Sequence, residues 1–353
     1  MTRETLEHLN TNTLIGMTSQ RGTAWHYRAE EQGEETNHYP GPIPVEDVER
    51  RLFHWTARSR RIAVETPTDV QAMTHLDPLG SPARWLQVDD RQAITRSDTD
   101  AVLGIFTTGY VMHQYGEWLL TTVANILDDD LVISSAGLLR GGAIAWVEVS
   151  VPETITTPVS FDFRPNLLAT TSFDGSIATT FKRTVTATVC DNTRMAALAE
   201  KGQEYRVKHT RYSAAKITAA REALAVVHTM GEAFAHELEI LANTPVTDDQ
   251  WRTFLDRSVP LDDGKGHLLE GRSRTLATRK RGELEHLYRE DERAAPWTGT
   301  ALGALQATNT WAHHFATSRG ASRQERNLLN AVSGATANGD LAVATLLGQV
   351  LDG

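Results

Sequence analysis

The chain has 353 residues, a net charge of −10, 40% hydrophobic and 23% charged residues. This is the composition of a folded protein with enough chain for one large or two ordinary domains, and it excludes a disordered class. No run of about 18 apolar residues occurs and the polar start has no apolar signal core, so neither a membrane span nor secretion is expected. The single cysteine, Cys190, excludes an internal disulfide and a thiolate metal site, and a cytoplasmic location is expected.

The first 44 residues are polar and turn-rich, and Pro40-Gly-Pro-Ile-Pro44 admits no regular structure. A helix is predicted to follow, because Val45, Val48, Leu52 and Trp55 recur at helical spacing with Glu46 and Asp47 in the first turn. Short strands are expected over about 60–110: 84–88 and 92–95 flank Asp89-Asp90-Arg91 as a hairpin turn, and 101–107 follows. Trp118, Leu119, Val123 and Ile126 then give an apolar stripe to a helix over about 111–127.

Residues 131–190 are rich in β-formers, with candidate strands at 131–134, 143–151, 167–171, 177–181 and 185–190. Gly141-Gly142 and Asp174-Gly175 mark tight turns. From Asn192 the periodicity is helical almost to the end, with Asp191 or Asn192 capping the first helix. Ile217, Leu224, Val227, Phe234, Leu238 and Leu241 define one long helix, and Thr247-Asp-Asp-Gln250 and Ser322-Arg-Gln-Glu325 are capping boxes. Asp340 is placed as the cap of a last helix ending near Val350. The predicted fold class is α+β. A turn-rich segment with one helix (1–60) precedes a mainly β core (61–192) with one packed helix, and an α-helical region (193–353) follows.

Motifs of catalysis are absent from this pattern. His313 and His314 are adjacent and point about 100° apart on a helix, and His228 and His236 lack a third ligand, so no metal is expected. There is no phosphate-binding or dinucleotide-binding glycine motif, and no cofactor is expected. Cys190 reads as a packing residue. Asp130, Glu148, Asp162 and Asp174 with Lys182 fit no nuclease spacing, and Asp174-Gly175 reads as a turn. The expectation is a non-enzymatic protein.

One stretch departs from the acidic average. Between Asn192 and Arg221 seven cations (Arg194, Lys201, Arg206, Lys208, Arg211, Lys216 and Arg221) face two acids, a local charge of +5. Tyr205 and Tyr212 are interleaved and His209 adds a donor. Cations track a nucleic-acid backbone and flat rings stack on bases, so this pattern suits a single strand; a solvated helix face suits it equally. Lys182 and Arg183 either line the same groove or blunt a sheet edge. A second cluster, Arg272, Arg274, Arg279, Lys280 and Arg281, reads as a solvated helix face with pairs such as Lys280 to Glu283 or Arg281 to Glu285.

Several strings carry a resemblance: Glu4 to Asn10 with Gly22 to Tyr27, Pro40 to Arg51, Leu138-Leu-Arg-Gly-Gly142 with Trp146, Ser172-Phe-Asp-Gly-Ser176, Val189-Cys-Asp-Asn-Thr193 and Lys208-His-Thr210. In these the chain resembles the phage/plasmid-like protein family, a domain-of-unknown-function family of actinobacterial phages and plasmids. The resemblance implies mobile-element origin and carries no catalytic motif. With the basic stretch it gives the expectation of a homo-oligomeric protein that binds single-stranded DNA in recombination, annealing or replication. The alternative is a host-interaction or counter-defence protein that acts by binding a host protein.

Overall fold

The computed structural model describes residues 3–24, 27–66, 84–121, 131–151, 154–187, 192–195, 204–207, 209, 227–317, 323–333 and 335–352. In chain order, α1 (Arg3–Asn12), β1 (Thr13–Ile15), α2 (Thr18–Arg21) and α3 (Val45–Leu52) lead into β2 (Ala57–Thr66), β3 (Arg84–Arg96) and β4 (Val102–Thr107). A π-helical turn, Gly116–Thr121, precedes β5 (Val132–Leu139), β6 (Ile144–Ser150), β7 (Ile155–Thr156), β8 (Asp162–Ser172), β9 (Thr179–Ala187), β10 (Asn192–Met195) and β11 (Glu204–Val207). Then come α4 (Val227–Asn243), α5 (Asp248–Ser258), α6 (Gly271–Arg289), α7 (Ala301–Thr310), α8 (Arg323–Ser333) and α9 (Ala335–Leu351). The protein is α+β, with its sheets in the N-terminal and central part and helices after them.

An eight-stranded antiparallel sheet is the centre of the fold, in the order β1-β5-β6-β8-β9-β10, with β7 on β8 and β11 on β9. One face packs Leu138, Val147, Leu167 and Phe181 against Val48 and Leu52 of α3 and Leu119 of the π turn. The other face packs Leu139, Trp146 and Leu168 against Leu328 and Leu329 of α8. Phe161 and Phe163 meet Phe234 and Leu238 of α4, Trp297 and Leu302, which ties the sheet to the helices. With both faces covered, all seven positions of β6 are buried, which is why it reads as a continuous β-former run rather than an alternation. Gly137 lies opposite Trp146 in register, where a Cβ would collide with the indole. Gly175 takes φ 77° in the β8–β9 turn, a left-handed conformation that favours glycine.

Strands β2, β3 and β4 form a separate antiparallel sheet in that order. Its inner side docks through Ile94, Leu103 and Phe106 onto the core of the large sheet. Arg96 clips the two together: it donates to both carboxylate oxygens of Asp98 (2.9 and 2.7 Å) and to the Gly141 carbonyl (2.9 Å), and lies 4.2 Å over the Trp55 ring.

Several expectations change. Asp89-Asp90-Arg91 is no hairpin turn. Arg61 pairs with Gln92 and Ile62 with Val88, so the three residues bulge from one continuous β3 against an unbroken β2. The two strands expected at 177–181 and 185–190 are one, β9, with Lys182 and Arg183 inside it; Cys190 lies outside the described residues. Asn192 does not cap a helix. It begins β10, antiparallel to β9, and β11 pairs farther along the same edge, because open backbone on β9 outweighs the local helical pattern. Within 111–121 only the π turn and Tyr115 are helical. Asp340 lies inside α9, where it accepts from Asn309 (2.9 Å) rather than capping. The Thr247–Gln250 capping box is present. Ser322 and the start of the long helix, 210–226, lie outside the described residues.

Candidate functional site

Of the ten residues expected to bind nucleic acid, five lie in strands β9, β10 and β11 of the large sheet. Lys182 and Arg183 sit in β9, opposite Leu168 and Leu167 of β8. Arg194 of β10 is opposite Val185, and in β11 Tyr205 is opposite Phe181 and Arg206 opposite Thr180. Lys201, Lys208, Arg211, Tyr212 and Lys216 lie outside the described residues. Three of the five residues of the second basic cluster have side-chain partners on or beside α6. Arg279 donates to Glu283 (2.7 Å), Arg281 to Asp256, and Lys280 stands 4.1 Å over the Trp311 ring, in place of the expected Lys280–Glu283 and Arg281–Glu285 pairs.

His209 is not the phosphate donor that its setting suggests. It is the third ring of a column in which Phe106 stacks on Tyr110 (3.9 Å between centroids), Tyr110 on His209 (5.0 Å), His209 on His113 (3.9 Å) and His113 on Trp118 (3.6 Å). His209 Nδ1 lies 3.1 Å from the Val111 carbonyl, which can only accept, so Nδ1 carries the proton and Nε2 is the acceptor. The hydroxyls of Thr171 and Thr179 lie 3.1 and 3.3 Å from that Nε2 and 2.7 Å from each other, and Thr179 is 2.6 Å from His113 Nδ1. His113 is fully buried, and its Nε2 has no hydrogen-bond partner among the described residues.

Desolvation holds the pKa of His113 down at about 3, helped by the neighbouring His209, and that of His209 at about 4. Both rings are neutral at pH 7. Burial likewise pushes the Tyr110 hydroxyl up, with the Asp174 charge adding to it. Burial opposes ionisation of Asp174 itself, yet hydrogen bonds from Ser176, Arg140 and Ser172 hold its carboxyl below the usual range.

The other candidate surface is the outer face of the small sheet. Register places Arg58, Thr95 and Val102 in one row across the three strands and Arg60, Ala93 and Ile105 in the next. Ala93 and Thr95 on the middle strand are buried, while Val102 is 63% and Ile105 60% exposed and both arginines are exposed. The face is a shallow trough with guanidinium groups on one rim and aliphatic side chains on the other. It continues past the bulge as Ile62 opposite Val88 and Val64 opposite Leu86, with Val64 and Leu86 again exposed. Arg60 pairs with Asp100 (3.0 Å); Arg58 has no ion-pair partner among the described residues. The signal for this face in the sequence is Arg58-Ser-Arg60-Arg61, which places three arginines within four positions, outside the basic stretch of 192–221.

Among the described residues no three His, Cys, Asp or Glu side chains converge on a point that could hold a metal, and no helix is long and apolar enough to cross a membrane. No curated protein and no solved structure matches the chain. The model of one family, described as "Domain of unknown function (DUF932)", matches residues 102–333, from β4 through α8 and including every ring of the column. That match covers about two thirds of the chain, and the protein therefore belongs to the DUF932 family.

Proposed function

We propose that this chain is a non-enzymatic phage or plasmid protein that binds single-stranded DNA in the cytoplasm of its host, in recombination, annealing or replication. The observation that carries this reading is the outer trough of the small sheet. Arg58 and Arg60 line one rim and exposed Val102 and Ile105 the other, in a chain whose net charge is −10. A single strand offers what such a trough takes: phosphates for the guanidinium rim and unpaired base faces for the apolar rim. A duplex hides its bases and would use only the charged rim. Strand β11, with Tyr205 and Arg206, supplies a second binding region in the same reading.

Self-assembly belongs to it as well. Strands β2 and β4 each pair with β3 alone among the described residues, which leaves two edges on which another copy can add. A mobility shift with labelled single- and double-stranded oligonucleotides at low salt tests the reading. Preference for the single strand is expected, and no shift at low salt sinks it.

The exposed aliphatic rim also favours a second reading, a host-interaction or counter-defence protein that docks a host protein on this sheet. A stable complex with one host protein in a chain with no DNA affinity would select it.

A further inference from the structure

We propose that the ring column from Phe106 to Trp118 is a proton-sensitive latch that positions β11, and with it Tyr205 and Arg206, against β9. The proposal takes its functional consequence from the single-strand reading, and its physical content stands apart from it.

Three observations build the latch. First, His209 follows β11 by two residues and its ring sits between Tyr110 and His113, so the column holds the C-terminal side of that strand. Second, His209 and Val111 are joined in both directions: His209 Nδ1 donates to the Val111 carbonyl (3.1 Å) and the Val111 amide to the His209 carbonyl (3.4 Å). Third, a hydroxyl chain joins His113 Nδ1 through Thr179 and Thr171 to His209 Nε2, and with Nδ1 donating to Val111 a neutral His209 accepts at the end of that chain.

A proton on Nε2 turns the acceptor at the end of that chain into a donor. A proton on His113 as well places two cations 3.9 Å apart in a buried site. The groups that face the pair are Tyr110 and Val111 after β4, Trp118 of the π turn, Thr171 of β8 and Thr179 of β9, none of them charged at neutral pH. The charged group nearby, Asp174, pairs with Arg140 (2.9 Å) and bears on the Tyr110 and Tyr115 hydroxyls. No carboxylate among the described residues bonds either imidazole. The column also reaches the small sheet, since Phe106 belongs to β4, so both proposed binding regions meet at one proton-dependent element.

Hydrogen exchange of the full chain without DNA, read by fragment from pH 7.5 to 4.5 and corrected for intrinsic rates, tests the latch. Opening of residues 204–209 is expected to increase by up to about 100-fold per pH unit below pH 6, because the open state takes up two protons. The fragment 251–258 in α5 should keep its protection. In the double variant H113F/H209F the flat rings remain without titratable nitrogens, and the slope should vanish. A flat wild-type profile, or equal loss in both fragments, overturns the latch; that comparison decides even where the double variant does not fold. A mobility shift at pH 7.5 and 5.5 keeps the two readings apart. A pH-dependent opening with no shift at either pH supports the latch and removes the DNA reading. A shift at both pH values over a flat exchange profile does the reverse.

Discussion

The two sheets treat their faces in opposite ways. Strand β8 of the large sheet buries ten of eleven positions, whereas β4 of the small sheet buries none fully. A sheet needs one covered face to be stable, and the large one has two: α3 and the π turn on one side and α8 on the other. The small sheet has its inner face on the core and leaves arginines and aliphatics on the outer one. The difference teaches where to look for a partner. Hydrophobic side chains in the large sheet are accounted for by packing, while Val102 and Ile105 have no intramolecular role that explains their exposure.

That contrast can be broken most forcefully at Trp146. Its ring is buried against Gly137, Leu139 and Leu168, and Trp146→Ala is expected to cost about 3–5 kcal/mol in denaturant unfolding. A loss below about 1 kcal/mol would mean that this face is not the packed one. Acid comes next. Both column imidazoles are held neutral in the folded chain, with pKa values of about 3 and about 4, and protonate near 6.5 once unfolded. Between those limits the unfolded chain binds more protons, so stability rises with pH. The contribution is complete above about 6.5 and is lost as pH falls toward 4 and then 3. Urea midpoints at pH 7 and 5 should differ in that direction, and by less in His209→Phe. Unchanged midpoints would show that the rings are not buried.

A smaller effect is expected where neither sheet takes part. Thr247 accepts from the Gln250 amide (3.2 Å) while Gln250 Oε1 accepts from the Thr247 amide (2.9 Å), so Thr247→Ala should cost about 0.5–2 kcal/mol by thermal unfolding. Least of all is Ile105→Thr on the exposed face, within about 0.5 kcal/mol. If its cost matched that of Trp146→Ala, the outer face would be core and the contrast would be gone.

Much of this architecture was legible in the sequence because its signals are local. Asp174-Gly175 announced the β8–β9 turn, Thr247 and Gln250 their helix, and the Val, Ile and Thr runs their strands. What was not legible depends on partners distant in the chain. Asn192 and Tyr205 lie in strands because β9 offers them an edge. Asp89-Asp90-Arg91 bulges because β2 runs unbroken beside it. His209 meets His113, 96 positions earlier, only through folding, and its role could not be read from the basic stretch around it. The same limit hid the trough: its rows join residues of three strands, and only register shows that Arg58 and Val102 share one.

The central claim is that the trough of the small sheet takes a single strand. Its most direct test is the salt dependence of oligonucleotide affinity for the wild-type chain and for R58A/R60A. Removing one phosphate-binding cation flattens the slope of log affinity against log salt by about 0.7 for a single strand. The variant should therefore bind at least about tenfold more weakly at low salt, with a slope shallower by about 1.4, and unfold as the wild type does. Equal affinity and equal slope in a folded variant would contradict the claim.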